Sequence, residues 1–198
     1  MADAPPAPPL VLASRSPQRK AILEQLHIPF DVAPPDYEEE TPTRGHPVEV
    51  VRDHARAKAR SVANDSDDRP VLGVDTVVAF GGVIFGKPTD AAEAEVMVEQ
   101  LSGKTHAVVS GLCLHTPAWE VVEHEETSVT FRELTPRDLA AYVGSGEWEG
   151  RAGAYAIQGQ GASLVSRIEG DYLNVVGLPG ALLVRLLAER FAGVYGFG

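Results

Sequence analysis

Apolar and polar positions switch between two periods along this chain, and the switches divide it into strands and helices. Leu10-Val11-Leu12-Ala13 is a continuous apolar run and reads as a short buried strand. Ser14-Arg15-Ser16 interrupts it, and Pro17 stands where a first helical residue would. The helix predicted from Pro17 turns Ile22, Leu23 and Leu26 inward. Arg19 precedes Ile22 and Leu23 by three and four residues, so it shares their face. Phe30-Asp31-Val32 gives another short strand. The helical period returns from about Pro47 to Val62, with the stripe Val51, His54, Ala55, Lys58 and Val62. Val71 to Phe80 is rich in β-branched residues and reads as a largely buried strand. Gly81-Gly82 then signals a two-residue hairpin into Val83-Ile84-Phe85.

The second half repeats the alternation. Asp90 is placed as an N-cap with Glu93 in the first turn, Met97, Val98 and Leu101 form the inner face, and Gly103 ends the helix. Ala107 to Leu114 reads as a strand, and Glu120 to Phe131 as one or two more, with Trp119 near a turn. Thr135-Pro136 opens a helix that packs through Leu139, Tyr142 and Val143. A glycine-dense segment, Gly150 to Gly161, follows. Ser163 to Ile168 and Tyr172 to Val176 are expected as strands joined around Glu169-Gly170-Asp171. Gly177-Leu178-Pro179 starts a last helix to about Phe191.

Composition narrows the class. A chain of 198 residues with 44% hydrophobic content suits one globular unit, or two small lobes sharing a cleft. The Pro/Ala-rich stretch 1–9 is expected to be a disordered tail before a domain at 10–198. No apolar run reaches membrane-spanning length, no secretory core is present, and Cys113 is the lone cysteine. A cytoplasmic protein with no membrane association is expected. The net charge of -11 disfavours nucleic acid as a partner. An acidic chain still binds phosphates if its few cations converge.

That condition directs attention to charges on inward positions. Asp75 lies inside the Val71–Phe80 strand, where an ionised carboxylate is costly unless paired, hydrogen-bonded or bound to a cation. The hairpin register puts Thr76 opposite Lys87 of Gly86-Lys87-Pro88, so acid and base reach the same end of one hairpin. Arg19 is either a snorkelling arginine at the edge of the core or a cation aimed at a ligand beside a helix start that presents free N–H groups. Lys58 sits on an apolar stripe. Glu38-Glu39-Glu40 is either a solvated loop or the source of an oxygen ligand for a divalent cation. The glycine segment allows close backbone approach but does not match dinucleotide or Walker fingerprints. The six histidines show no ligand spacing, and neither a nucleophile elbow nor a reactive cysteine is indicated.

In order along the chain stand Leu12-Ala13-Ser14-Arg15-Ser16-Pro17-Gln18-Arg19, Gly73-Val74-Asp75-Thr76-Val77-Val78, Gly86-Lys87-Pro88, Leu101-Ser102-Gly103-Lys104-Thr105-His106, Gly153-Ala154-Tyr155-Ala156-Ile157-Gln158-Gly159 and Gly177-Leu178-Pro179. Together, from about Leu10 to Leu187, they resemble the Maf family of nucleoside triphosphate pyrophosphatases. The resemblance implies an α/β fold: a bent mixed sheet flanked by helices, with two lobes around a deep nucleotide-binding cleft, often as a homodimer. It implies hydrolysis of a nucleoside triphosphate to monophosphate and pyrophosphate with Mg²⁺ or Mn²⁺. By matching position it makes Asp75 the proton acceptor and, with Glu39, the metal side. Arg19, Lys58 and Lys87 match cations around the triphosphate; Ser14, Thr76 and Gln158 match residues near the nucleotide. The Gly-Ala-Tyr-Ala-Ile-Gln form is similar to the subgroup acting on dTTP and UTP. Gln18 replaces a usual arginine at a position linked to substrate choice, and Arg151 replaces a usual lysine. A 7-methyl-GTP or ITP/XTP-type pyrophosphatase, and a non-catalytic nucleotide-binding regulator of cell division, are the alternatives.

Overall fold

Two demands shape the start of the fold: short apolar strands must pair, and the helices between them must cover the faces the strands leave bare. In the computed structural model, which describes residues 7–197, strand β1 (Leu10–Ala13) passes into helix α1 (Pro17–Gln25) and returns parallel to itself as β2 (Phe30–Val32). A second crossover through α2 (Pro47–Ala63) lays β3 (Val71–Phe80) parallel to β1 on its other side. From there the sheet is antiparallel. β3 turns at Gly81-Gly82 into β4 (Val83–Phe85), then α3 (Ala91–Leu101) leads to β5 (Thr105–His115), and β6 (Glu120–Phe131) follows. After α4 (Pro136–Gly144) and two short 3₁₀ turns, Ala152–Ala154 and Gly159–Leu164, comes β7 (Val165–Glu169). Helices α5 (Tyr172–Val176) and α6 (Gly180–Phe191) close the order. The seven strands form one open mixed sheet ordered β2-β1-β3-β5-β6-β7, with β4 also on β3.

Each face of this sheet has its own cover. Val11, Ala13, Val71 and Cys113 pack on Ala55, Ala59 and Val62 of α2, and Val77, Ile84 and Val109 pack on Val51 of the same helix. On the opposite face Leu10, Leu12, Leu72, Val74, Leu112 and Leu114 meet α1 and α6, while Val78, Val108, Val129 and Phe131 meet α3 and α4. Strand β3 therefore alternates between two interiors, which is why its apolar run is continuous. No helix among the described residues is long and apolar enough to cross a membrane.

Two glycines let α2 lie unusually close to the sheet. A Cβ at Gly73 would stand 2.1 Å from the carbonyl oxygen of Ala55, and one at Gly111 2.2 Å from that of Val51. Gly111 is the β5 partner of Asp75 in the antiparallel ladder. The bare backbone beside Asp75 is thus what admits the helix.

A second feature opens the sheet at the same place. β5 runs beside β3 from Val71 to Ala79. On its other side β3 pairs with β1 through Val71–Gly73 and with β4 through Val78–Phe80. Val74 to Val77 are left without a strand neighbour on that edge. Successive side chains of a strand point to opposite faces, so Asp75 on the α2 side and Thr76 on the other both border this gap.

One expected strand is a helix. Tyr172–Val176, rich in residues that favour strands, forms α5 instead. Asp171 caps it by accepting from the Leu173 N–H at 2.7 Å, and Gly177, at φ 129°, ends it. Asn174 fixes it on the sheet, donating from Nδ2 to the Val108 carbonyl and to Thr127 Oγ1, both at 3.0 Å. β7 also begins later than expected, because 159–164 coil into a 3₁₀ turn. Glu120–Phe131 is one strand. Of the tail expected at 1–9, residues 1–6 lie outside the described residues; Ala7 packs on the core and the Pro8 carbonyl accepts from Tyr195 Oη at 2.9 Å.

Candidate active site

The gap between β1 and β4 opens into a cleft of about 440 Å³. Its walls come from the β1–α1 junction, the 35–39 loop, Lys58 of α2, Thr76 and Val78 of β3, Lys87, the 149–158 segment and the end of α5. A neighbouring cavity of about 430 Å³ shares Glu39, Thr76, Lys87 and Ala152 with it. Of the residues singled out from sequence, Ser14, Gln18, Arg19, Glu39, Lys58, Thr76, Lys87 and Gln158 all line the main cleft. Asp75 does not reach its surface. It is 4% exposed and lies beneath Lys58.

Lys58 is the hub. Its Nζ donates to Asp75 Oδ1 at 2.6 Å and to the free-edge carbonyl of Val74 at 3.4 Å, and pairs with Glu39 Oε1 at 2.7 Å. It is 3% exposed. A buried ammonium with one carboxylate would be a neutral pair; with two, the cluster keeps a net negative charge. Burial works to raise the Glu39 pKa, but the charge and hydrogen bond of Lys58, then the charges of Lys87 and Arg19, outweigh it and hold the carboxyl below its usual value. Lys87 stands 3.6 Å from Glu39 Oε2 with 58% of its side chain exposed. That leaves it an exposed cation at the cleft mouth.

Arg19 is held quite differently. Its Nε donates to the Gly177 carbonyl at 2.8 Å, Nη1 to Ser14 Oγ at 3.2 Å and Nη2 to Thr76 Oγ1 at 3.3 Å. All three acceptors are neutral, and among the described residues no carboxylate lies within ion-pair distance of it. Burial lowers its pKa, while Asp75 and Glu39 oppose that shift from a distance. A guanidinium stays charged even so. The arrangement is a cation with its donors splayed and no anion supplied by the protein.

The α1 start adds polar groups. Ser16 caps the helix by accepting from Arg19 N at 3.4 Å and donates to Gln18 Oε1 at 3.1 Å, and Ser14 Oγ accepts from Ser16 N at 3.1 Å. Thr76 Oγ1 and Ser110 Oγ are 2.8 Å apart. Across the cleft the glycine-dense segment is pinned rather than slack. Gly153 N donates to the Gly86 carbonyl, Ala156 N to Tyr142 Oη, and the N–H groups of Gln160 and Gly161 to Glu147. At Gly153, φ is 66° and a Cβ would meet Val78 at 2.7 Å. Tyr155 is anchored below by His106, Nε2 to Oη 2.9 Å. Burial raises the Tyr155 pKa, so it remains a phenol. Cys113 is a core residue, its thiol pushed up to about 12 by burial.

His54 was not among the residues expected here. It is 6% exposed on α2, one turn before Lys58. One ring nitrogen lies within 4.8 Å of ligand oxygens from both Glu39 and Asp75. Its Nδ1 is buried and has no hydrogen-bond partner, a deficit worth about 1–3 kcal/mol. Two carboxylates and one imidazole nitrogen are a donor set that suits a divalent cation. Spacing along one segment could not reveal it, because the three ligands come from a loop, a helix and a strand. The available signal was the position of His54 on the same apolar stripe as Lys58.

The sequence compares with known proteins over nearly its whole length. The Maf-like protein family matches residues 9–190. A dTTP/UTP pyrophosphatase of Deinococcus radiodurans is 45% identical over 192 residues, covering 97% of each chain. One of Nitratidesulfovibrio vulgaris is 48% identical over 188 residues, 94% of this chain and 90% of the relative. One of Bacillus cytotoxicus is 44% identical over 183 residues, 92% and 96% respectively. With the family matched from the first strand to the last helix, this chain belongs to the Maf-like proteins.

Proposed function

We propose that this chain hydrolyses dTTP and UTP to the nucleoside monophosphate and pyrophosphate in the cleft at the β3 gap. The observation that carries the reading is the convergence of Arg19, Lys58 and Lys87 on one cleft of a chain whose net charge is -11. Relatives sharing 44–48% identity bear that activity in their names.

The chemistry follows from the placement. A triphosphate supplies the anion that Arg19 lacks, and a guanidinium grips phosphate oxygens through more than one N–H. Lys87, exposed at the cleft mouth on a long side chain, follows charge as it moves onto the pyrophosphate. Asp75, beneath Lys58 and off the cleft surface, is the proton acceptor for the attacking water, reached directly or through one further water. The water oxygen bonds to the α-phosphorus, the bond from that phosphorus to the α,β-bridging oxygen breaks, and pyrophosphate leaves with the electron pair. Lys58 orients Asp75 through its hydrogen bond to Oδ1 and ties Glu39 to the same spot. Glu39 and Asp75 would hold Mg²⁺ or Mn²⁺, which when bound stabilises phosphate charge and lowers the pKa of nearby water. Gln158 and Gln18 border the cleft with amides that both donate and accept, as the edge of a pyrimidine requires.

The test is pyrophosphate release from dTTP, UTP, CTP, 7-methyl-GTP, ITP and GTP, beside Asp75→Asn. The expected result is release from dTTP and UTP, with kcat down by about 10²–10⁴-fold in the variant and KM little changed. Release confined to 7-methyl-GTP or ITP would overturn the choice of base and direct attention to Gln18. Binding of the triphosphate without release from any nucleotide would favour a regulator.

A further inference from the structure

The reaction above leaves His54 without a task. Its place argues that it has one. It is buried on the α2 face that presses against β3 and β5, where an aliphatic side chain would satisfy packing. Instead an imidazole stands there with Nδ1 unpartnered, edge-on to Tyr37 at 5.6 Å between ring centroids. One of its nitrogens and one oxygen each of Glu39 and Asp75 lie mutually within 4.8 Å. Atoms bound about 2.1 Å from one metal stand roughly 3–4 Å apart. A small inward movement closes the set, and Glu39, on a loop with 29% of its side chain exposed, is the ligand of the three that is not set on a helix or strand. Lys58 engages one oxygen of each carboxylate, and each carboxylate has a second.

We infer that His54 is a third ligand to the divalent metal of this site and biases it toward Mn²⁺ over Mg²⁺. The inference rests on the proposed function only in taking Glu39 and Asp75 as the metal side. Mg²⁺ holds to oxygen ligands and octahedral water, whereas first-row transition ions accept imidazole readily. One nitrogen among oxygens therefore discriminates between the two without excluding either. The ligand is delivered by the same helix that delivers Lys58, so the close approach permitted by Gly73 and Gly111 positions both.

The experiment is electron spin-echo envelope modulation on the full chain with one equivalent of Mn²⁺, alone and with α,β-methylene-dTTP. Imidazole ¹⁴N modulation is expected in the wild type and lost in both His54→Leu and His54→Gln. Titration should show Mn²⁺ affinity falling about tenfold in both variants while Mg²⁺ affinity changes less than about twofold. Absence of ¹⁴N modulation from the wild type under both conditions overturns the inference without relying on either variant's folding. So does modulation that persists in both variants, or equal weakening of the two metals. Turnover of dTTP is measured on the same wild-type sample. Turnover without a ¹⁴N signal removes His54 and leaves the pyrophosphatase reading standing; a ¹⁴N signal without turnover does the reverse.

Discussion

Single residues here are read through what surrounds them. Asp75 was conspicuous in sequence because a carboxylate interrupts a β-branched run, and the physical cost of burying it pointed to a partner. The partner is Lys58, from an apolar stripe where a lysine is equally out of place. Arg19 left two readings open, and in the structure its guanidinium lines the cleft and donates to three neutral acceptors, the placement on which the proposed ligand role rests. His106 carries a consequence for stability. Burial depresses its pKa from 6.5 to about 4. Between those values the unfolded chain binds the extra proton and the folded chain does not, so stability rises with pH across that window and is lost as pH falls toward 4. The contribution is about 3 kcal/mol at most. Urea titrations at pH 7, 6, 5 and 4.5 should show the wild type losing more stability than His106→Leu over that range. Parallel curves would show that His106 does not titrate as its burial dictates.

At the scale of elements, the site depends on how closely α2 approaches the sheet. Gly111→Ala places a methyl group 2.2 Å from the Val51 carbonyl oxygen and 2.7 Å from Arg52 N. Backbone cannot yield as a side-chain tip does, so the helix must lift. The expected cost is about 3 kcal/mol by urea unfolding, with kcat/KM down by about tenfold or more because Lys58 and His54 move with the helix. Unchanged turnover would mean that the helix position is not what sets the site. Helix α5 matters in another way. Asp171 accepts from Leu173 N at 2.7 Å and from Ala181 N at 3.1 Å, tying the starts of α5 and α6 together. Gly177 at the end of α5 offers its carbonyl to Arg19. Asp171→Ala should lose about 1–2 kcal/mol and also weaken nucleotide binding, read by thermal unfolding and by titration with α,β-methylene-dTTP. The sequence misread this helix because Tyr172, Val175 and Val176 favour strands while the cap and the buried Asn174 override that preference.

For the molecule as a whole, the field of a chain with net charge -11 opposes a triphosphate at long range, and the cations of the cleft attract it at short range. Salt distinguishes the two. If the cleft dominates, the Kd for α,β-methylene-dTTP rises severalfold between about 20 and 200 mM KCl; if the overall charge dominates, it falls. The chain by itself determined the ends of β1 and β3, the capped starts of α1, α3 and α4, the Gly81-Gly82 hairpin and the inward placing of Arg19, Lys58 and Asp75, because periodicity, caps and turn residues act over a few neighbours. Only the tertiary structure decided that β3 lacks a strand neighbour at Val74–Val77, that Lys58 bridges Glu39 and Asp75, and that His54 joins the two carboxylates. Those three depend on where a loop, a helix and a strand meet in space, and a local pattern carries no record of distance between segments far apart in the chain.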